Sequence, residues 1–448
     1  MLPGVRLPGS LAELLGALRP VFTAPSFATF CGLVAGLAGQ VRRRTVCGML
    51  VGGGLGRVWP HDRAHYFFAR ACWDLDELGL AVARLVVAVL VPAGGAVTVA
   101  VDDSVFRRAG RKVFGACWQH DQSSPGRVKA SFGTCFVTAG IVVVLPWCTR
   151  PVCLPVLARL YIPGHGTPRV PRRGGTVVVP GSKVAAAAGL VTVLAQSLPG
   201  RTLHVVGDAA YHGPALRHLP PRVTWTCRLP KNAVLQALPP PRLPGTRGRP
   251  PSKGPRLGTA ADLAAAAHWR TATVRIYGRA QPTQLTQITC LWYGSFKTRP
   301  VRVILARSRA ATLALVTTDL ITAPTALIQR YAARWSIEQA FFDARHILGA
   351  GEARTRTPAA VARTVPFALL THTLVVTWYA RHGHDPADIT ARRTAQPWYP
   401  AKTEPAFEDM LTKLRRTLIT ARISRGSAAT PTPSQTRAVL AAWHAAAA

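Results

Sequence analysis

Acidic residues are scarce in this chain. Its 448 residues hold 19 Asp and Glu against 55 Lys and Arg, a formal net charge of +36 and a pI near 11.5. That balance demands a polyanionic partner or heavy counter-ion screening, and nucleic acid is the natural candidate. A GC-rich coding bias accounts for part of the Arg, Ala, Gly and Pro enrichment, but not for the missing acids. Paired cysteines are lacking too. The nine thiols, at positions 31, 47, 72, 117, 135, 148, 153, 227 and 290, form no CxxC pair and have no partnered His spacing. Neither a zinc site nor a disulfide framework is expected, and the thiols read as small buried hydrophobes in a reducing cytosol. No P-loop is present, so energy input from nucleotide hydrolysis is not expected. The opening segment MLPGVRLPGSLAEL lacks a basic stretch, an apolar run and a small-residue cleavage site, so no signal peptide is expected. Leu85 to Val101 is nearly all apolar, yet Pro92, Gly94 and Gly95 split it into a helix end and a strand rather than a membrane span.

What the chain does have is concentrated in YAARWSIEQAFFDAR, Tyr331 to Arg345. Wound as one α-helix, it places Tyr331, Arg334, Glu338 and Arg345 within an arc of about 60°. Ala333, Ile337, Ala340, Phe341, Ala344 and Leu348 fall on another stripe, with the spacing of a helix packed on a core. One face is then buried and the other presents a carboxylate between two guanidiniums and a phenol. That grouping suits a site that holds a metal ion and grips phosphate, because a guanidinium forks onto phosphate oxygens.

Two acids upstream have a similar setting. Ala96 to Asp103, AVTVAVDD, is an apolar β-rich run with acids at its exit, and Thr202 to Asp208, TLHVVGD, repeats the design. A carboxylate at the tip of a buried strand is held firmly and still reaches solvent. Ser131 to Ala139 and Ile141 to Trp147 read as a hairpin joined near Gly140, and Lys183 to Leu198 as a helix closed by Pro199-Gly200. Strands, then a helix, then a strand, with acids on the first and last strands, is the ribonuclease-H order.

Taken together, Tyr331, two residues, Arg334, three, Glu338, six, and Arg345 resemble the Tyr-Arg-Glu-Lys signature of insertion-sequence transposases. These are DDE enzymes with a ribonuclease-H-like core. Arg345 stands where that family has lysine, keeping the charge and not the geometry. The resemblance implies an α/β fold, a ribonuclease-H-like mixed sheet flanked by helices, with a β-rich insertion and an N-terminal helical region. It also implies that Asp102, Asp208 and Glu338 bind two Mg²⁺ ions, for which Mn²⁺ can substitute, with Asp103 the second choice to Asp102. Hard oxygen ligands suit Mg²⁺, and two ions can stabilise both the attacking and the leaving oxygen of a phosphodiester. Tyr331, Arg334 and Arg345 would contact phosphates near the cut. Trp335 would either stack on a base flipped out during hairpin formation or pack against Phe342. The implied partners are the transposon's terminal inverted repeats and target DNA, engaged by a homodimer assembled on DNA, with no membrane partner. The implied place is the bacterial cytoplasm, at the nucleoid.

On this reading residues 1–92 form an N-terminal helical region, suited either to DNA binding or to capping the core, with Arg42, Arg43 and Arg44 ahead of a helix. Residues 93–228 hold the first part of the catalytic core. Residues 229–322, which include the basic Pro- and Gly-rich stretch Pro239 to Arg256, are a β-rich insertion. Residues 323–380 carry the last core helices, and 381–448 a basic C-terminal region with one amphipathic piece, Phe407 to Ile423. Two rivals remain at this stage: a structure-specific nuclease that cuts without joining, and a catalytically silent transposase-derived DNA-binding protein.

Overall fold

The computed structural model describes residues 6–41, 44–121, 124, 127–169, 177–179, 181–242, 249–307, 312–423, 433–434 and 436–437. Arg42 and Arg43, part of the basic Pro-rich stretch, and most of the C-terminal tail lie outside the described residues. Five helices come first: α1 (Gly9–Gly16), α2 (Ala24–Gly39), α3 (Val46–Gly52), α4 (His61–Ala69) and α5 (Leu75–Leu90). Thr23, Thr45 and Asp74 cap α2, α3 and α5 by accepting from backbone N–H groups three residues on. Ser10 lies inside α1, and its hydroxyl accepts from Trp378 Nε1 at 3.1 Å. Helix α2 is buried along most of its length. A Cβ at Gly36 would stand 1.8 Å from the Met49 carbonyl oxygen, so only glycine lets α2 and α3 approach this closely.

The sheet then begins with β1 (Val97–Arg107), β2 (Cys117–His120), β3 (Ala130–Val143) and β4 (Val152–Tyr161), followed by a small ribbon of β5 (Thr167–Arg169) and β6 (Val177–Val179). Next come α6 (Lys183–Ser197), β7 (Leu203–Gly207) and β8 (Val223–Arg228). The order β4-β3-β1-β7-β8 is antiparallel from β4 to β1 and parallel from β1 to β8. This is the mixed sheet of a ribonuclease-H-like fold.

Two expectations need correction here. The run around Gly140 is not a hairpin. It is one long strand, β3, whose partner is β4, and the register slips between Ala139 and Gly140. A Cβ on Gly140 would meet Cys153 Sγ at 2.3 Å, so this glycine marks a close approach at a bulge rather than a turn. The acids of β1 are also not at its exit, because the strand runs on to Arg107. Pairing with β7 stops at Ala100, however, while pairing with β3 continues past Asp102 and Asp103. Beyond Ala100 one edge of β1 is therefore open, and that gap is where the site forms.

After β9 (Leu235–Gln236), β10 (Arg256–Gly258) and the short α7 (Ala260–Ala265), four strands extend the same sheet beyond β8. They are β11 (Arg270–Ile276), β12 (Arg279–Cys290), β13 (Val301–Arg307) and β14 (Thr312–Thr317), with the single-turn helix α8 (Tyr293–Phe296) between β12 and β13. Strand β14 pairs antiparallel with β8 through Leu315, Val316 and Thr317. The chain then returns across the site. The single helix expected across Tyr331 to Arg345 is broken: α9 (Pro324–Ala332) passes through a 3-10 turn, Ala333–Trp335, into α10 (Ser336–His346). Gly349, at φ 65°, lies three residues beyond α10 in the left-handed region.

Helix α11 (Pro358–Trp378) carries Pro366 within it. With the turn that follows, Pro358–Gly383 is long and apolar enough to cross a membrane, but 94% of its most apolar window is buried against protein. It packs on β4, α5 and α4. Helices α12 (Ala387–Ala395) and α13 (Phe407–Ile423) follow. Part of the positive charge works structurally. Arg363 donates to the carbonyl of Phe68 in the last turn of α4 and to those of Ala71 and Trp73 beyond it, and Arg415 to those of Ala38 and Gln40 at the end of α2. Both satisfy backbone acceptors that no helix bond reaches. The thiols are less uniform than expected: five are buried, Cys117 and Cys148 are partly so, and Cys47 and Cys72 are exposed.

Candidate active site

Successive residues of a strand face opposite sides of the sheet, and the two adjacent aspartates of β1 separate accordingly. Asp103 turns toward α6 and the turn after β7. Its carboxylate accepts from Lys183 Nζ at 2.6 Å, Tyr211 Oη at 2.9 Å and Cys135 Sγ at 3.4 Å. Burial and the Asp103 charge drive the Tyr211 phenol and the Cys135 thiol well above their usual ranges. Asp103 is thus engaged by three donors.

Asp102 faces the returning helices. Arg334 Nη1 donates to Asp102 Oδ2 at 2.7 Å, and Arg334 Nη2 donates to Glu338 Oε1 at 3.2 Å. One guanidinium, 6% exposed, therefore joins the acid of β1 to the acid of α10. Asp208 sits just past β7, its Oδ1 accepting from Ala210 N–H at 2.7 Å. Its charge is felt across the gap. Burial raises the Asp102 carboxyl to about 7, opposed by Arg334 and reinforced by Asp208 and Asp103. Burial likewise raises Glu338, opposed by Arg334 and reinforced by Asp208. Burial disfavours the charge on Arg334, but Asp102, Tyr331, Glu338 and Asp208 outweigh it and hold the guanidinium more firmly protonated. Three carboxyl groups from β1, the β7 tip and α10 thus share one field, with a single arginine between two of them.

The donor set suits a divalent cation. Its oxygens are hard and come from three elements, and burial raises the proton affinity of two of them, Asp102 and Glu338. Among the described residues, no three His, Cys, Asp or Glu side chains stand at metal-coordination spacing. Arg334 instead bridges Asp102 and Glu338, and its Nε has no partner.

The remaining expected residues divide. Tyr331 is 7% exposed, and Arg334 Cζ lies 5.9 Å from its ring centroid. Trp335 is 52% exposed, with Arg334 Cζ 5.3 Å from its ring centroid. It lines an open cavity of about 990 Å³ together with Glu338, Phe342, Tyr277 and Arg150. Arg345 does not join Arg334 and Glu338. Its Cζ lies over the Phe106 ring at 5.4 Å, and it opens onto a different cavity.

Two features escaped the sequence reading. The Tyr211 and Lys183 clamp on Asp103 ties the turn that carries Asp208 to the strand that carries Asp102. The other is Tyr277. Ile276 pairs with Arg279, so Tyr277-Gly278 is a two-residue hairpin loop, with Tyr277 at φ 52° and Gly278 at φ 78°. Glycine tolerates that region and tyrosine does so only at a cost. The loop brings a phenol beside Arg334 and Glu338, whose charges act on it in opposite directions after burial has raised it. A two-residue loop with glycine between polar strands is a hairpin signal in sequence, but nothing in it tells where the tip lands.

The family described as DDE superfamily endonuclease matches residues 18–294, more than half of the chain. The chain belongs to the DDE superfamily endonuclease family. No curated protein matches it. The matched region of this DDE endonuclease contains Asp102, Asp103 and Asp208 and ends before Glu338. Family membership carries a nuclease activity on DNA and the ribonuclease-H-like fold. DDE enzymes typically use divalent metals.

Proposed function

We propose that this DDE endonuclease is the transposase of an insertion sequence, cutting the element's terminal repeats and joining the freed 3′ hydroxyls to target DNA. The observation that carries the reading is the bridge from Asp102 through Arg334 to Glu338, with Asp208 acting on both acids. Asp102, Asp208 and Glu338 would hold two Mg²⁺ ions, or Mn²⁺ in their place. Asp103, already held by Lys183 and Tyr211, serves to position its neighbours. When bound, the ions supply charge for the phosphorane oxygens and lower the pKa of the attacking water. Arg334 exchanges its carboxylates for a phosphate oxygen, and Tyr331 beneath it fixes where the guanidinium points. Trp335, half exposed beside Glu338, offers a flat face to a base displaced from the duplex. Cutting two paired ends calls for two subunits, so the working form is a dimer on DNA.

The test uses a plasmid that carries the DNA flanking the coding region, incubated with the full chain and Mg²⁺. The reading expects cuts at the flanking inverted repeats, joined products with a second plasmid, and loss of both in Asp102→Asn, Asp208→Asn or Glu338→Gln. Cuts without joined products would select a structure-specific nuclease. Metal-independent binding with no cuts would select a DNA-binding protein alone.

A further inference from the structure

Five arginines meet in a cavity of about 1150 Å³ at the end of β1: Arg107 as its last residue, Arg108 just past it, Arg345 on α10, and Arg354 and Arg356 on the loop that precedes α11. Two acids offset them. Glu352 lines the cavity but also accepts from Arg44 N–H at 2.8 Å, and Asp121 lies 3.8 Å from Arg107 Nη2 and acts on Arg345. Arg108 is 8% exposed and its Nη1 donates to the carbonyls of Gly351 and Ala353, while its Nε and Nη2 have no partner. Arg345 Nε has none either. Burying guanidinium donors unpaired is unfavourable unless an anion completes them. Arg107, Arg354 and Arg356 are exposed, and so is the Phe342 ring.

Phe342 lines both this cavity and the one that holds Glu338 and Trp335. Its ring centroid is 4.5 Å from that of His346, one turn further along α10. Glu338, Phe342 and the Arg345-His346 pair thus rise on successive turns, roughly 10 Å from the acid to the first cation of the cavity. Basic side chains interleaved with exposed rings are what an unpaired strand requires, because its bases need stacking partners that duplex bases already have. We propose that the arginine cavity is a second DNA-binding subsite, which takes the phosphates of an unpaired strand leaving the acid cluster while its bases step over Phe342 and His346. The proposal rests on the DNA-cutting reading above and adds the path of the strand to it.

Arginine modification reads the site directly and needs no cleavage. The full chain is treated with phenylglyoxal in EDTA, alone or with a short oligothymidylate, the matched oligothymidylate–oligoadenylate duplex, or inorganic phosphate, and the labelled residues are found by mass spectrometry. The subsite predicts that the single strand slows labelling of Arg354 and Arg356 severalfold, more than the duplex does, and that phosphate alone leaves it unchanged. Arg354→Ala with Arg356→Ala, two exposed positions that leave the core untouched, should lower the salt dependence of single-strand binding by roughly 0.7 per lost phosphate contact. Unchanged labelling and slope would overturn the subsite. Protection by duplex as strong as by single strand would overturn the unpaired-strand assignment, and equal protection by phosphate would reduce the site to a small-anion pocket. A chain that protects these arginines and never cuts DNA would keep the subsite and remove the transposase reading.

Discussion

Arg334 stands 232 residues beyond Asp102 in the chain and donates to its carboxylate at 2.7 Å. That contact closes the α9–α10 segment over the open edge of β1 and places Glu338 in the same field. Removing the guanidinium leaves a largely buried carboxylate without its cation, so Arg334→Ala should lower stability by on the order of 3 kcal/mol. Arg334→Lys, which keeps the charge but not the fork, should retain part of that stability yet fail to bridge both acids. Urea unfolding of the two variants in EDTA checks the order.

The raised Asp102 carboxyl makes a signed prediction. Its usual value is 3.8 and its folded value about 7, so the folded chain holds the proton more tightly. The stability this contributes is fully present below about 4 and is lost as pH rises through about 7. Asp102→Asn abolishes that titration. In EDTA, wild type should therefore lose stability relative to Asp102→Asn between pH 4 and pH 7. A constant difference across that window would show that Asp102 is not perturbed.

Tyr211→Phe deletes the phenol that links the Asp208 turn to Asp103. The loss in stability should be about 1–2 kcal/mol, because Asp103 keeps Lys183 and Cys135 as partners. DNA cleavage should fall further than that energy alone implies, with the metal requirement shifted to higher concentration, since the Asp208 tip is no longer pinned. Titrating Mg²⁺ against cleavage rate in wild type and Tyr211→Phe separates this positioning effect from simple unfolding.

Tyr277 holds a positive φ, 52°, that costs stability at the mouth of the cavity beside Glu338. Replacing it with Asn, which tolerates positive φ, should stabilise the hairpin by about 1 kcal/mol. The same change removes the phenol from the cavity beside Glu338 and should weaken binding of cleaved ends. A higher melting temperature together with tighter or unchanged end binding would show that the phenol has no part in holding DNA.

Much of the framework was open to sequence reasoning because its determinants are local. An apolar run ending in an aspartate is visible in TLHVVGD, and the Arg334-to-Glu338 relationship survives the 3-10 break because four residues still bring both side chains to one face. Strand β4 was hidden by Pro155, which sits opposite Gly140 at the bulge, where its missing N–H does no harm. The choice between Asp102 and Asp103 depended on which face of β1 meets which helix. The separate cavity of Arg345 depended on the break before α10 and on Arg107, Arg108, Arg354 and Arg356 arriving from elsewhere. No spacing along the chain encodes those meetings.

The central claim, that Asp102, Asp208 and Glu338 serve one cation site, is tested most directly by loading the chain with Fe²⁺ in place of Mg²⁺ and mapping oxidative backbone cleavage with ascorbate and peroxide. The account predicts cuts in three places together, near Asp102 on β1, near Asp208 after β7 and near Glu338 on α10, all suppressed by Asp102→Asn or by excess Mg²⁺. Cuts at one of these places alone, or a pattern indifferent to Asp102→Asn, would contradict it.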